Sequence, residues 1–198
     1  MNPDLVIIII VVIMSAVVHE FFHGRVAYAL GDPTAKHLGR LTLNPIPHLD
    51  MVGSILLPLV LVLTGSSFII GWAKPVPYNP YNLRDQRWGN TKVALAGPAA
   101  NMIIALLFGL TLRFADLPSG VFEFFVIIVF FNILLAAFNL IPIPPLDGSK
   151  IIMDLFPRTA YAFAQIGFLG IFVALIIGWS VLPVIVPNLF YLITGIAI

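Results

Sequence analysis

Three side chains that could bind and use a metal ion lie close together near the start of the chain. His19 and His23 are four residues apart, and Glu20 directly follows the first histidine. Residues i and i+4 lie on one face of an α-helix, so both imidazoles can reach one cation. A His-Glu-x-x-His pattern on a helix binds zinc through its histidines and uses its glutamate as a general base. The pattern therefore predicts a catalytic metal site.

The segment that carries this pattern is an apolar helix. Residues 5–18 contain no charged side chain, and His19 follows them without a turn signal. A charged residue at the centre of a membrane helix costs about 2.5–3.5 kcal/mol on insertion scales. Three polar groups within five residues of such a helix therefore favour a functional site over the alternative, which is a set of hydrogen-bonded core residues.

The composition is that of an integral membrane protein. Of the 198 residues, 60% are hydrophobic and 10% are charged, whereas soluble domains carry about 25% charged residues. The length fits one helical bundle, so we expect a single membrane domain with a catalytic core at about residues 5–158 and C-terminal helices at about 159–198. The net charge of +1 gives no sign of a nucleic-acid partner. The lack of cysteine excludes disulfides and thiolate ligands.

Long apolar stretches predict an all-α, polytopic transmembrane bundle of about five spans. They cover residues 5–30, 91–114 and 121–141, and two helices within residues 159–198. We expect the last two to meet near residues 178–183, because Pro183 and Pro187 interrupt that stretch. The N-terminal stretch lacks the basic region and cleavage site of a signal peptide, so we expect it to be retained as a span.

The topology depends on a further apolar segment near residues 51–77, which either crosses the membrane or dips in and returns. Lys and Arg favour the cytoplasmic side of short loops. A re-entrant segment puts nine basic residues on the cytoplasmic side and only Arg113 outside, whereas a full crossing divides them four against six. We therefore predict a re-entrant segment with a turn at residues 65–67 and an extended return through residues 68–70 and Val76.

A catalytic zinc site needs a third protein ligand besides two histidines. The candidate carboxylates are Asp32, Asp50 and Asp147. In the re-entrant topology the helices at 5–30 and 121–141 run in the same direction, so Asp147 lies toward the same cytoplasmic end as His19. A full crossing would put Asp147 in the wrong leaflet. Asp147 is therefore the best-placed third ligand.

The loop before the re-entrant segment contains two further polar residues, His48 and Asp50. They could be extra metal ligands or part of a lid over the zinc. The plainer interpretation is a solvated loop at the membrane surface, since loops commonly carry such residues.

Three motifs resemble those of the site-2 protease family of intramembrane zinc metalloproteases. They are residues 19–23 (HEFFH), 96–101 (AGPAAN) and 138–148 (FNLIPIPPLDG). The resemblance extends to about residue 158, and residues 31–36, 39–45 and 71–77 resemble a short subgroup without a PDZ or CBS domain. It implies one Zn²⁺ per chain with Asp147 as the third ligand, and Asn139 as a polar group that assists at the scissile carbonyl. Asn101 is expected to form an interhelical hydrogen bond.

The function implied by the resemblance is hydrolysis of a peptide bond within or at the edge of a substrate's transmembrane segment, with Glu20 as the base. The partners would be a transmembrane protein or peptide and the lipid bilayer, and residues 68–77 could pair with an extended substrate. We expect a prokaryotic cytoplasmic membrane, with the active site toward the cytoplasm. The alternative is a membrane zinc transporter or zinc-binding protein without proteolytic activity. An inactive scaffold is disfavoured because all the expected catalytic residues are present.

Overall fold

The protein is a bundle of long apolar helices. The computed structural model describes residues 3–64, 71, 73–158, 160–167 and 169–198. Within these residues, four helices are long and apolar enough to cross a membrane. They are α1 (Pro3–Ala29), α4 (Gly89–Phe114), α5 (Ser119–Asn139) and α8 (Leu169–Thr194). The shorter helices are α2 (Thr34–His37), α3 (Leu57–Leu63), α6 (Asp147–Leu155) and α7 (Ala160–Ala164), with a π-helix at Met51–Leu56 and 3₁₀ turns at Ile46–His48 and Pro80–Asn82.

Helix α4 is the centre of the bundle and packs against α1, α5, α6 and α8. Its buried face carries small residues, among them Gly97, Ala100, Ala105 and Gly109. Small residues let helix backbones approach closely, which is how membrane helices gain packing energy in the absence of water. A Cβ on Gly109 would lie 2.5 Å from a side-chain methyl carbon of Ile193, so α4 and α8 are as close there as glycine allows.

The apolar core lies between α4, α5 and α8. Leu112, Val129, Ile133 and Phe190 are buried in it. The outer faces of the long helices instead expose large apolar side chains; on α8, Trp179 is 85% exposed. Such outer faces fit contact with lipid tails, so the distribution of apolar side chains agrees with a membrane bundle.

The two ends of the predicted re-entrant segment lie side by side. Leu49 and Ala73 form an antiparallel bridge, and the N–H of Lys74 donates to the carbonyl of His48 at 2.8 Å. Between them, the Asp50 carboxylate caps the π-helix, which α3 continues. The chain therefore returns to the side that it left, as the re-entrant prediction requires. The predicted turn at residues 65–67 and the extended stretch at 68–70 lie outside the described residues.

The C-terminal stretch differs from the prediction of two helices. After the short α7, the structure has one long helix, α8, which contains both Pro183 and Pro187. The described part of the chain therefore has four spanning-length helices rather than about five. The prediction was wrong because it applied the rule for soluble helices, in which proline breaks a helix. Membrane helices tolerate proline, since side chains and neighbouring helices satisfy the backbone groups that it frees.

Candidate metal centre

The carboxylate of Asp147 meets the imidazoles of His19 and His23. Asp147 is the first residue of α6, and both histidines lie on α1, one helical turn apart. Its Oδ2 atom is 3.0 Å from Nε2 of His19 and 3.0 Å from Nε2 of His23. All three side chains are buried. Three potential ligand atoms thus converge on one point inside the protein.

The other ring nitrogen of each histidine is occupied. Nδ1 of His19 lies 2.6 Å from Oδ1 of Asn101, and Nδ1 of His23 lies 2.7 Å from the carbonyl oxygen of Val93. Both oxygens can only accept, so each Nδ1 carries a proton, and in the neutral ring Nε2 then keeps the lone pair. Metal-binding histidines are usually held in this way, because the outer hydrogen bond fixes the tautomer and the ring orientation.

Gly97 of α4 keeps the space beside the imidazoles free. A Cβ at this position would lie 2.5 Å from Nε2 of both His19 and His23. With bonds of about 2.0–2.1 Å, the ligand atoms of a tetrahedral zinc ion lie about 3.3 Å apart. The contacts from Asp147 to the two imidazoles, at 3.0 Å, are close to that spacing. Two imidazole nitrogens and one carboxylate oxygen therefore fit Zn²⁺ in both space and chemistry.

Glu20 lies beside the same group of atoms. A ligand atom from each of His19, Glu20 and His23 falls within 4.8 Å of the others. Oε2 of Glu20 accepts a hydrogen bond from the backbone N–H of Val76 at 2.7 Å. Val76 stands between two prolines, which have no N–H, so it supplies the one amide donor of that tripeptide. The loop before α4 thereby holds the carboxylate that could act as a base.

The second oxygen of Asp147 is held by Lys150, whose Nζ donates to Oδ1 at 2.9 Å. Burial opposes ionisation of Asp147, but the hydrogen bonds that His19 and His23 donate when their rings are protonated, together with the charge of Lys150, outweigh it. They hold the pKa of the carboxyl well below its usual range. In turn, the charge of Asp147 outweighs burial and raises the pKa of Lys150. Asp147 is therefore ionised, which is the form that binds a metal.

A cavity of about 350 Å³ adjoins the site on the side of Lys150. Tyr78, Pro145, Ser149 and Lys150 are among its lining residues. Lys150 connects this cavity to the site through its contact with Asp147, whereas His19, Glu20 and His23 do not line it.

Asn139 is not joined to this group. It is the last residue of α5, and its Nδ2 donates to the carbonyl of Leu135 at 2.9 Å. The hydrogen bonds among the described residues do not link Asn139 to His19, His23 or Asp147. Its role at a scissile carbonyl stays a prediction.

The other candidate carboxylates, like His48, form hydrogen bonds within the loops. Asp32 is fully buried and accepts hydrogen bonds from residues 34, 79 and 82, whereas Asp50 caps the π-helix. His48 is 1% exposed, and its Nε2 lies 2.8 Å from the carbonyl oxygen of Thr42. The interpretation of this loop as solvated was therefore wrong for His48, which is buried rather than facing water.

Several partners of the histidines could not be read from the motifs. Asn101 was expected to bond between helices, and it does so, but its bond to His19 was not foreseen. Ser15 and Asn132, which contact Asn101, were missed altogether. Asn132 did carry a signal, because it is a polar residue inside an apolar span. The carbonyl of Val93 has no sequence signature, since every residue has one.

Similarity to known proteins identifies the family of this chain. The model of "Peptidase family M50" matches residues 114–179, which include Asp147. "Putative zinc metalloprotease YwhC" of Bacillus subtilis is 41% identical over 160 residues, covering 76% of this chain and 69% of the relative. "Putative zinc metalloprotease Rip2" of Mycolicibacterium smegmatis is 36% identical over 170 residues, covering 83% of this chain and 64% of the relative. No solved structure matches the chain.

The similarity to YwhC extends over most of both chains, and the family model covers the segment that carries Asp147. The four long apolar helices are those of an integral membrane protein. This chain belongs to peptidase family M50, the site-2 protease family of metalloproteases.

Proposed function

We propose that this protein is a zinc-dependent intramembrane endopeptidase that hydrolyses a peptide bond within or at the edge of a substrate's transmembrane segment. The observation that carries the proposal is the convergence of Nε2 of His19, Nε2 of His23 and Oδ2 of Asp147 beside Glu20. These groups lie among helices that are apolar enough to cross a membrane, which supports a membrane-embedded substrate.

His19, His23 and Asp147 would hold one zinc ion per chain. Three protein ligands are the number found in catalytic zinc sites, whereas structural sites usually have four. Zinc bound there would lower the pKa of a coordinated water molecule and polarise the carbonyl of the substrate. The ion pair with Lys150 keeps Asp147 ionised and oriented toward the histidines.

Glu20 acts as the general base and acid. Its carboxylate takes a proton from the attacking water and later gives it to the nitrogen of the leaving amine. The N–H of Val76 keeps one carboxylate oxygen in place. Asn139 assists at the carbonyl oxygen of the substrate. Because its amide donates to Leu135, this role requires a change of rotamer when substrate binds.

A helical substrate must unwind before it can react, since its backbone groups are paired within the helix. Strand addition to the loop before α4 is one way to hold the unwound chain. In that loop the N–H groups of Lys74 and Val76 already have partners, and Arg40 donates to the carbonyls of Lys74 and Pro75. Pairing along residues 74–76 would therefore have to displace these bonds.

The chain would lie in a prokaryotic cytoplasmic membrane with its active site toward the cytoplasm. The support is the excess of basic residues in the loops at the end of the bundle where Asp147 and Lys150 lie. The partners are a transmembrane protein or peptide and the lipid bilayer.

Proteoliposomes test the proposal against the rival function of zinc transport. Purified protein is loaded with zinc and reconstituted with a panel of single-span peptides, and cleavage is followed by mass spectrometry. A zinc-sensitive dye inside the vesicles reports flux in the same preparation. We expect cleavage without flux, and no cleavage by the Glu20→Gln variant. Zinc flux without cleavage would replace the proposal with a transporter.

A further inference from the structure

Two asparagines and a serine form a chain of hydrogen bonds behind His19, inside the bundle. Asn101 of α4 and Asn132 of α5 are fully buried, and Ser15 of α1 is 5% exposed. Nδ2 of Asn101 donates to Oδ1 of Asn132 at 2.8 Å and to the carbonyl of Ser15 at 3.2 Å. Nδ2 of Asn132 donates to Oγ of Ser15 and to the carbonyl of Ile128, both at 2.9 Å. The chain thus links three helices to the ring of His19.

Backbone carbonyls, which can only accept, fix the orientation of both amides. The carbonyl of Ile128 takes the NH₂ group of Asn132, so Oδ1 of Asn132 faces Asn101. Oδ1 of Asn132 and the carbonyl of Ser15 are both acceptors, so the NH₂ group of Asn101 must point toward them. Oδ1 of Asn101 therefore faces His19, 2.6 Å from Nδ1. His19 must therefore carry a proton on Nδ1, and the neutral ring then has its lone pair on Nε2.

We propose that Asn132 is a positioning residue that sets, through Asn101, the tautomer of His19 in which Nε2 can bind the metal. A flipped Asn101 would present its NH₂ group to Nδ1 of His19. The ring would then carry its proton on Nε2 and lose the lone pair that faces Asp147 and His23. The inference rests on the proposed metal site and does not depend on peptide hydrolysis.

The test compares the zinc affinity of two variants, measured in detergent by competition with a chromophoric chelator. Asn132→Leu removes the acceptor for Asn101, whereas Asn132→Asp keeps an acceptor oxygen in either protonation state. We expect the Leu variant to bind zinc about 10–100-fold more weakly, as is typical when an outer partner of a metal-binding histidine is lost. We expect the Asp variant to stay close to wild type.

Asn188→Leu is the matched control. Asn188 lies on α8, where its Nδ2 donates to the carbonyl of Val184 four residues earlier, at 2.7 Å. Asn132 makes the same kind of bond to Ile128, at 2.9 Å, but Asn188 is exposed and does not contact Asn101. The control should leave zinc affinity unchanged.

A second readout follows the tautomer itself, by ¹⁵N NMR of histidine-labelled protein without metal at alkaline pH. We expect His19 to carry its proton on Nδ1 in wild type and in Asn132→Asp, and the Nε2–H form to appear in Asn132→Leu. Wild-type affinity in the Leu variant, or equal losses in the Leu and Asp variants, would overturn the inference. A wild-type His19 protonated on Nε2 would also overturn it, even if the Leu variant failed to fold. A wild-type protein that binds no zinc would instead refute the proposed metal site.

Discussion

Oδ2 of Asp147 lies 3.0 Å from Nε2 of His19, although 128 positions separate the two residues in the sequence. They meet because α1 and α6 both pack against α4. At Gly97, α4 presents backbone instead of a side chain to the imidazoles. The candidate metal centre is therefore a property of three helices and not of the histidine motif alone.

Gly97→Ala should abolish stoichiometric zinc binding. The new Cβ would lie 2.5 Å from Nε2 of both His19 and His23, so the rings would have to leave the positions in which they face Asp147. The measurement is the metal content of purified protein by mass spectrometry. Gly120→Ala is the control, because a Cβ there meets nothing within 4 Å and should leave zinc content unchanged. Full zinc occupancy in Gly97→Ala would mean that the imidazoles can move at little cost.

Glu20→Gln should keep zinc and lower peptide hydrolysis by about 10²–10⁴-fold, the usual contribution of a general base. Glutamine has nearly the same shape and can still accept the hydrogen bond from Val76, but it cannot take a proton from water. Zinc content and turnover of a membrane-embedded peptide are measured on the same preparation. Unchanged turnover would refute the assignment of Glu20 as the base.

Val76→Pro should reduce turnover about 10-fold while zinc content stays constant. The substitution removes the N–H that donates to Oε2 of Glu20, and a hydrogen bond to a charged group contributes about 1.5–3 kcal/mol. Val76→Ala is the control, since it trims the side chain and keeps the N–H. Faster turnover in Val76→Pro would indicate instead that this bond restrains Glu20 from reacting.

Asp32→Ala should lower the free energy of unfolding by about 1–3 kcal/mol, because it leaves donors of two loops without their acceptor. The fully buried carboxylate accepts from the N–H and hydroxyl of Thr34, the N–H of Asn79 and the side-chain amide of Asn82. Thermal unfolding in detergent measures the loss. Asp116→Ala, at an exposed position, should have little effect, and equal losses in both variants would contradict the account.

The stabilisation by Asp32 should also disappear in acid. Burial opposes ionisation, but the hydrogen bonds from residues 34, 79 and 82 hold the pKa of Asp32 below its ordinary value. A carboxyl with a lowered pKa stabilises the fold fully above its unfolded value of about 3.9 and progressively less as pH falls through the folded value. The unfolding temperatures of wild type and Asp32→Ala should therefore converge at low pH. A constant difference would show that protonation of Asp32 does not matter.

Much of the fold and the candidate site could be predicted because their signals are local. The span predicted at residues 91–114 is the helix Gly89–Phe114, since a run of apolar residues marks a membrane helix directly. The four-residue spacing of His19 and His23 implies a shared helix face. Asp147 required a topological argument, and the distribution of Lys and Arg supplied it.

The rest depends on contacts that have no local signature. His23 is held by the backbone carbonyl of Val93, and Glu20 by the backbone N–H of Val76, groups that every residue or nearly every residue offers. The continuity of α8 through Pro183 depends on its membrane-like surroundings rather than on its own sequence. These features follow from packing, which the sequence pattern alone does not specify.

The zinc stoichiometry of wild type and of Asp147→Ala shows whether this carboxylate is the third metal ligand. Asp50→Ala serves as the control, because Asp50 is another carboxylate in the loops but caps the π-helix instead of facing the histidines. We expect one zinc per chain in wild type and in Asp50→Ala, and little or none in Asp147→Ala. Stoichiometric zinc in Asp147→Ala would contradict this assignment.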